Sequence, residues 1–177
     1  MSLLFVDVRG STSMAERMSA AEFSALMNRF YAVATDVLIN TDAFIDKLIG
    51  DEVMAVYLPI FAGPQPAHLA VRAARELLRV TGHAQPDGPW LPVGVGVHSG
   101  PAYFCAVTGA EGALADFTAL GDNVNVTARL AASAGPGEAL VSDAACAAAG
   151  LDIAPLEQRS LELKGKSEPV SVRVMRA

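Results

Sequence analysis

Two aspartates stand where a chain can bring carboxylates together. Asp7 lies near the end of the apolar run Leu3-Leu4-Phe5-Val6-Asp7-Val8, and Asp51 follows Gly50 between the runs Phe44 to Ile49 and Val53 to Leu58. A pair of carboxylates is what a divalent cation carrying phosphates requires, because Mg²⁺ prefers hard oxygen ligands and is usually held by one or two carboxylates plus substrate phosphates. Arg9-Gly10-Ser11-Thr12 follows the first aspartate. Gly10 permits a tight turn, and Ser11 or Thr12 can cap a helix beginning near Met14, whose open N–H groups and positive dipole end suit phosphate oxygens. Lys47 interrupts a run otherwise fit for burial and needs a partner there. Asn125 and Arg129 are four residues apart, so on a helix they share a face and reach one ligand. Taken singly, each feature has a plainer explanation: a capped helix, a surface hairpin, an exposed helix face.

The elements that must position these residues are readable from periodicity. Leu3 to Val8 is β-prone, and a turn at Gly10 leads into a helix. From Ala20 to Leu38, Phe23, Leu26, Met27, Phe30, Tyr31, Ala34, Val37 and Leu38 recur at helical spacing, which predicts one long amphipathic helix. Gly50-Asp51 between two β-type runs predicts a hairpin with a carboxylate at its tip. Ala62 to Pro66 reads as a loop, about Ala67 to Val80 as a second helix, and Leu91 to Val97 as a strand. That strand runs into His98-Ser99-Gly100-Pro101 and is expected to form a hairpin with Ala102 to Thr108, with His98 a hydrogen-bonded structural imidazole at the turn. Gly109 to Ala115 is read as an exposed arm of small residues. Val124, Ala128 and Leu130 predict a helix capped by Asp122. Glu138 to Val141 reads as a short strand, Asp143 to Ala149 as a short helix ended by Gly150, and Ser160 to Leu163 with Val170 to Met175 as a closing hairpin around Lys164-Gly165-Lys166.

Composition narrows the function classes. A chain of 177 residues fits one domain over residues 1–177 and is long enough for a sizeable core. Hydrophobic residues make up 52%, yet no run approaches the roughly 18–20 apolar residues of a membrane helix, so a soluble chain without direct membrane insertion is expected. A net charge of −6 argues against a broad nucleic-acid surface, although a local basic pocket for a phosphorylated ligand remains compatible with it. Cys105, Cys146 and three scattered histidines signal neither a disulfide framework nor a zinc site, which fits a reducing cytoplasm. No signal peptide is visible, and the nearly immediate opening on a strand leaves room for a missing upstream segment.

Assembled, the blocks Phe5-x-Asp7-x-x-Gly10-x-Thr12, Lys47-x-x-Gly50-Asp51, Gly121-Asp122-x-Val124-Asn125-x-x-x-Arg129 and Lys164-Gly165-Lys166 resemble the class III nucleotidyl cyclases. The resemblance spans nearly the whole chain. It implies an α+β, ferredoxin-like catalytic domain, with a central, mostly antiparallel sheet and helices packed on it, that works as a head-to-tail homodimer with active sites between protomers. It also implies that Asp7 and Asp51 of one protomer hold two Mg²⁺ or Mn²⁺ ions, one activating the ribose 3′-hydroxyl and the other bridging the triphosphate. From the other protomer, Asn125 would orient the ribose, Arg129 would stabilise charge on the transferring phosphorus, and Lys164 would bind the terminal phosphates. Gly10, Ser11 and Thr12 join the substrate-binding set.

Lys47 and Thr118, by the same resemblance, read the base. Many adenylate cyclases of this class place Asp at the Thr118 position, and a branch that includes the bicarbonate-responsive cyclases places Thr there. Thr118 can accept from the adenine 6-amino group while Lys47 donates to N1, so ATP is the expected substrate and cyclic AMP with pyrophosphate the expected products. Guanine reverses both edges. A guanylate cyclase is the nearer alternative, but its pattern puts Glu at the Lys47 position and usually Cys or Ser at the Thr118 position. A catalytically silent cyclase-like module typically lacks a metal aspartate or the Asn/Arg pair, and all of these are present here. An upstream sensor domain is a further expected partner.

Overall fold

The computed structural model describes residues 1–110 and 114–177. In chain order the elements are β1 (Ser2–Val8), α1 (Ser11–Arg17), α2 (Ala20–Ile39), β2 (Phe44–Ile49), β3 (Glu52–Tyr57), α3 (Pro59–Ala62), α4 (Pro66–Val80), β4 (Val93–Ser99), β5 (Tyr103–Thr108), β6 (Leu114–Leu120), α5 (Asp122–Ser133), β7 (Glu138–Ser142), α6 (Asp143–Ala149), β8 (Glu157–Leu161) and β9 (Val170–Arg176). Seven strands form one sheet in the order β2-β3-β1-β4-β7-β9-β8, and β5 pairs with β6 in a separate ribbon. Every neighbouring pair in the main sheet is antiparallel except β4 with β7. The mostly antiparallel α+β fold expected from the sequence is therefore the fold observed.

Strand alternation decides which helix covers which face. Leu4, Val6 and Val8 of β1, Val53, Ala55 and Tyr57 of β3, and Val93, Val95 and Val97 of β4 pack with the buried stripes of α2 and α4. Leu3 and Phe5 of β1, with Met54 and Val56 of β3, turn the other way and pack with Val124, Ala128 and Ala131 of α5. Each fully buried Leu or Val in these layers contributes about 1.5–3 kcal/mol. On β4 the positions facing α5 are glycines. A Cβ on Gly96 would lie 2.4 Å from the backbone nitrogen of Ala131 and 2.6 Å from the carbonyl oxygen of Thr127, so only glycine lets α5 settle this close to the sheet.

Several expectations need correction. The strand Val93–Ser99 does not form a hairpin with β5. Both of its edges are taken, by β1 on one side and by the parallel strand β7 on the other, so the chain leaves the sheet after Gly100-Pro101 and β5 pairs with β6. Neither Ser11 nor Thr12 caps α1. The cap is Gly10 in the left-handed conformation at φ 74°, and the helix begins directly at Ser11. Asp122 likewise opens α5 as its first residue, with Gly121 as the cap. Pro59 starts a one-turn helix before the expected loop. The closing hairpin uses Glu157–Leu161, starting earlier than expected and leaving Leu163 in the connection. Part of the expected arm over 109 to 115, namely residues 111–113, lies outside the described residues.

Candidate active site

Asp7 and Asp51 come close together. Asp7 sits near the end of β1, on the face that α5 covers, with Glu52 of β3 and Gly94 of β4 as its cross-strand neighbours. Asp51 occupies the β2–β3 turn after Gly50, whose φ of 61° suits glycine. Three contacts pin that turn. The Val8 N–H donates to the Asp51 carbonyl at 3.0 Å, the Ser11 hydroxyl donates to Asp51 Oδ2, and the Tyr31 hydroxyl of α2 donates to the Gly50 carbonyl. Ser11 thus reaches the acidic pair through its side chain. No side chain caps α1, which leaves its first-turn N–H groups open.

The local electrostatics show a surplus of negative charge. Burial pushes the Asp7 carboxyl up, Arg9 opposes that, and the Asp51 charge adds to the rise. Burial, then the charges of Asp7 and Asp51, push Glu52 up to about 7. Arg9 is the compensating cation: its Nη2 lies 2.6 Å from Asp7 Oδ2, and its Nη1 donates to the Ala132 carbonyl at 3.0 Å at the C-terminal end of α5. That end of a helix favours a cation. The contact ties the acidic pair to α5.

A cation would find only hard oxygen donors here, which suits Mg²⁺ or Mn²⁺. Among the described residues no group of three or more His, Cys, Asp or Glu is arranged to hold a metal ion. The two aspartates therefore offer a partial set that phosphates and water must complete, in keeping with how Mg²⁺ is usually bound.

A second group of side chains gathers around β2 and β6. Lys47 Nζ lies 3.0 Å from Asp46 Oδ1 and also pairs with Asp116 of β6. The Asp116 carboxylate, which accepts its hydrogen bond, and then the neighbouring Asp46 carboxylate push its pKa up. Thr118 retains 6% of its exposure, and its hydroxyl donates to Asp46 Oδ2 at 2.9 Å. Lys47 and Thr118, expected together, meet through Asp46.

α5 carries the third group. Asn125 is exposed and Arg129 half-buried on this helix. The connection after β8 passes beside them, where a Cβ on Gly165 would lie 3.7 Å from the Arg129 guanidinium. Lys164 is exposed in that connection, and Lys166 is tied to Asp122 at the start of α5. Arg129 thus lies beside the turn that carries Lys164. His98 acts as a brace, sharing hydrogen bonds of 2.8 Å with Ser142 and 2.9 Å with Asn123.

Sequence reasoning missed Arg9, Tyr31 and Asp46. Two adjacent charges, Asp46 and Lys47, inside an apolar run were the available signal for the last.

The profile of the adenylate and guanylate cyclase catalytic domain matches residues 1–175. The chain belongs to that family. Among curated relatives, the cyclase domain is 28% identical over its full length to "Adenylate cyclase" of Anabaena cylindrica, covering 37% of that protein. It is 30% identical over 97% of its length to "Adenylate cyclase, terminal-differentiation specific" of Dictyostelium discoideum, covering 8% of that protein. It therefore spans well under half the length of these relatives. Among solved structures, the adenylyl cyclase CyaB from P. aeruginosa matches at TM-score 0.80 and 26% identity, over 99% of this chain and 93% of that one. The guanylyl cyclase Cya2 matches at TM-score 0.84 and 24% identity, over 98% and 89%, and speaks to the fold alone. Among the described residues, no helix is long and apolar enough to cross a membrane.

Proposed function

We propose that this domain is an adenylate cyclase that converts ATP to 3′,5′-cyclic AMP and pyrophosphate at two sites shared by a homodimer. The observation that carries the base preference is the meeting of Lys47 and Thr118 through Asp46. An ammonium has three N–H donors, and pairing with Asp46 and Asp116 leaves one for adenine N1. The Thr118 oxygen accepts from the 6-amino group. The name adenylate cyclase on two relatives supports the same substrate.

In the reaction the ribose 3′-oxygen bonds to the α-phosphorus, the bond from that phosphorus to the bridging oxygen breaks, and pyrophosphate leaves as the 3′-hydroxyl proton passes to solvent. Asp7 and Asp51 would hold two Mg²⁺ or Mn²⁺ ions, which when bound acidify the 3′-hydroxyl and offset triphosphate charge. Asn125 orients the ribose, Arg129 meets charge on the transferring phosphorus, and Lys164 holds the terminal phosphates. Gly10, Ser11 and Thr12 give backbone N–H groups to phosphate oxygens, and the space beside Gly10 is open.

Two copies are needed because the acidic pair serves one site and the base, ribose and phosphate residues serve the other. Large apolar side chains left exposed on these elements support this assembly: Leu48 and Ile49 of β2 and Tyr103, Phe117 and Leu120 of the β5–β6 ribbon all face solvent, and Tyr103 is 80% exposed. We place the activity in the cytoplasm, where ATP is supplied and free thiols such as Cys105 and Cys146 persist. The greater length of the relatives leaves room for a sensor segment in the intact protein.

The test is product identity: purified domain with Mn²⁺ and either ATP or GTP, resolved chromatographically. Cyclic AMP as the main product is expected. Cyclic GMP alone would make the domain a guanylate cyclase, and no cyclic product with either nucleotide would sink the enzymatic reading.

A further inference from the structure

We infer that Asp46 is a positioning residue for base selection: it takes the single hydroxyl proton of Thr118 and leaves that side chain only an acceptor toward the purine. The inference rests on the adenylate cyclase reading above and adds to it the group that makes threonine selective.

A threonine hydroxyl is an ambiguous reader, since one proton and two lone pairs let it meet either the adenine amino group or the guanine carbonyl. Here the ambiguity is removed. The Asp46 side chain is 0% exposed, and its Oδ2 accepts from the Thr118 hydroxyl and from the Ala119 N–H, both at 2.9 Å. Its Oδ1 has no well-formed hydrogen bond and faces Lys47 Nζ at 3.0 Å. Donors surround this carboxylate on every contact, so the Thr118 proton points at Asp46 and its lone pairs are what remain.

A register irregularity in β2 makes the arrangement. Pairing with β3 shifts between Ile45 and Lys47, which leaves Asp46 as the extra residue of a bulge. Neighbours on a regular strand point to opposite faces, whereas a bulge re-aims one of them. Asp46 and Lys47 therefore converge on the same place, and one carboxylate orients both base-reading groups: the lysine as a donor, the threonine as an acceptor.

The experiment compares kcat/KM for ATP and GTP in wild type, Asp46→Asn, Thr118→Ala and the double variant. An amide at position 46 can turn its NH₂ to Thr118 and free the hydroxyl proton for guanine O6. Asp46→Asn should lower the ATP to GTP ratio by roughly ten- to a hundredfold, and most of this effect should be lost in the Thr118→Ala background, the remainder being what Asp46 does through Lys47. A structural role alone would lower both turnovers together and leave the ratio unchanged, and that result overturns the inference. If Thr118→Ala shifts the ratio while Asp46→Asn does not, the inference fails and the adenylate cyclase reading stands. If wild type makes no cyclic product, that reading itself has failed. A check on unaltered protein avoids any folding defect: inhibition of ATP turnover by the 6-methylamino and 6-methoxy purine riboside triphosphates, which are alike at N1 and differ in offering a donor or an acceptor at position 6. The 6-methylamino compound should bind at least about tenfold tighter; an equal or reversed order overturns the inference.

Discussion

Asp7 of β1 and Glu52 of β3 are cross-strand partners at the end of the sheet, beside the turn that holds Asp51. Like charges opposed on one ladder destabilise it, and burial keeps water from relieving the strain. Among the described residues, the ion pair that answers them is Arg9 with Asp7. A divalent cation should therefore stabilise the free protein. With Mn²⁺ at about ten times its dissociation constant, the gain is about 1.4 kcal/mol, or roughly 3–6 °C in Tm for a chain of this size. Thermal melts with and without Mn²⁺ should show this shift in wild type and lose most of it in Asp7→Asn and Asp51→Asn. An undiminished shift in both variants would place the cation elsewhere.

Two strands away from Asp7, on β7, Glu138 accepts from Arg159 through two parallel bonds of 2.7 Å and from Arg176 at 2.8 Å. The Arg159 guanidinium, followed by the Gly135 N–H and Arg176, holds its carboxyl down at about 2, against an ordinary 4.5. A depressed carboxyl stabilises the fold above its unfolded pKa, and that contribution is lost as pH falls from about 4.5 to about 2. Discounted for solvent around Arg159, the contribution is on the order of 1–2 kcal/mol. Urea unfolding of Glu138→Gln should show a deficit of that size at pH 7 that closes below pH 3. A constant deficit across that range would mean that packing, and not charge, sets the effect.

Gly96 sets the distance between α5 and the sheet. Gly96→Ala should cost about 1–3 kcal/mol by overpacking, lowering Tm by roughly 3–10 °C, because backbone atoms rather than a movable side chain occupy the space. It should also depress turnover more than the melt alone explains, since Asn125 and Arg129 ride on α5. Equal specific activity in folded Gly96→Ala and wild type would show that α5 tolerates the displacement.

Much of this architecture is legible in the sequence. The stripe from Phe23 to Leu38 has one period and one solution, and Asp143–Ala149 ends at a glycine that adopts φ 62°. The same holds for the hairpin around Gly50-Asp51, where turn chemistry and flanking β-type runs agree. The β5–β6 ribbon was not legible, because whether Tyr103–Thr108 joins the sheet depends on β7, a strand some thirty residues further on that claims the free edge of β4. Local patterns carry no record of that competition. Asp46 was hidden for a related reason. Its burial follows from a bulge, and alternation presumes a regular strand. Tyr31 looked like part of a core stripe, and only the fold brings its hydroxyl to the Gly50 carbonyl.

Asp51 stands in the β2–β3 turn and Arg129 on α5; in the proposed homodimer a working site takes one from each copy. The most direct measurement mixes Asp51→Ala with Arg129→Ala and follows cyclic AMP from ATP. Each variant alone should be inactive. Random pairing makes half the dimers mixed, and each mixed dimer has one intact site of two, so the equimolar mixture should recover roughly a quarter of wild-type activity. Recovery near that level supports a site shared between copies; no recovery in a mixture shown to contain mixed dimers would contradict it.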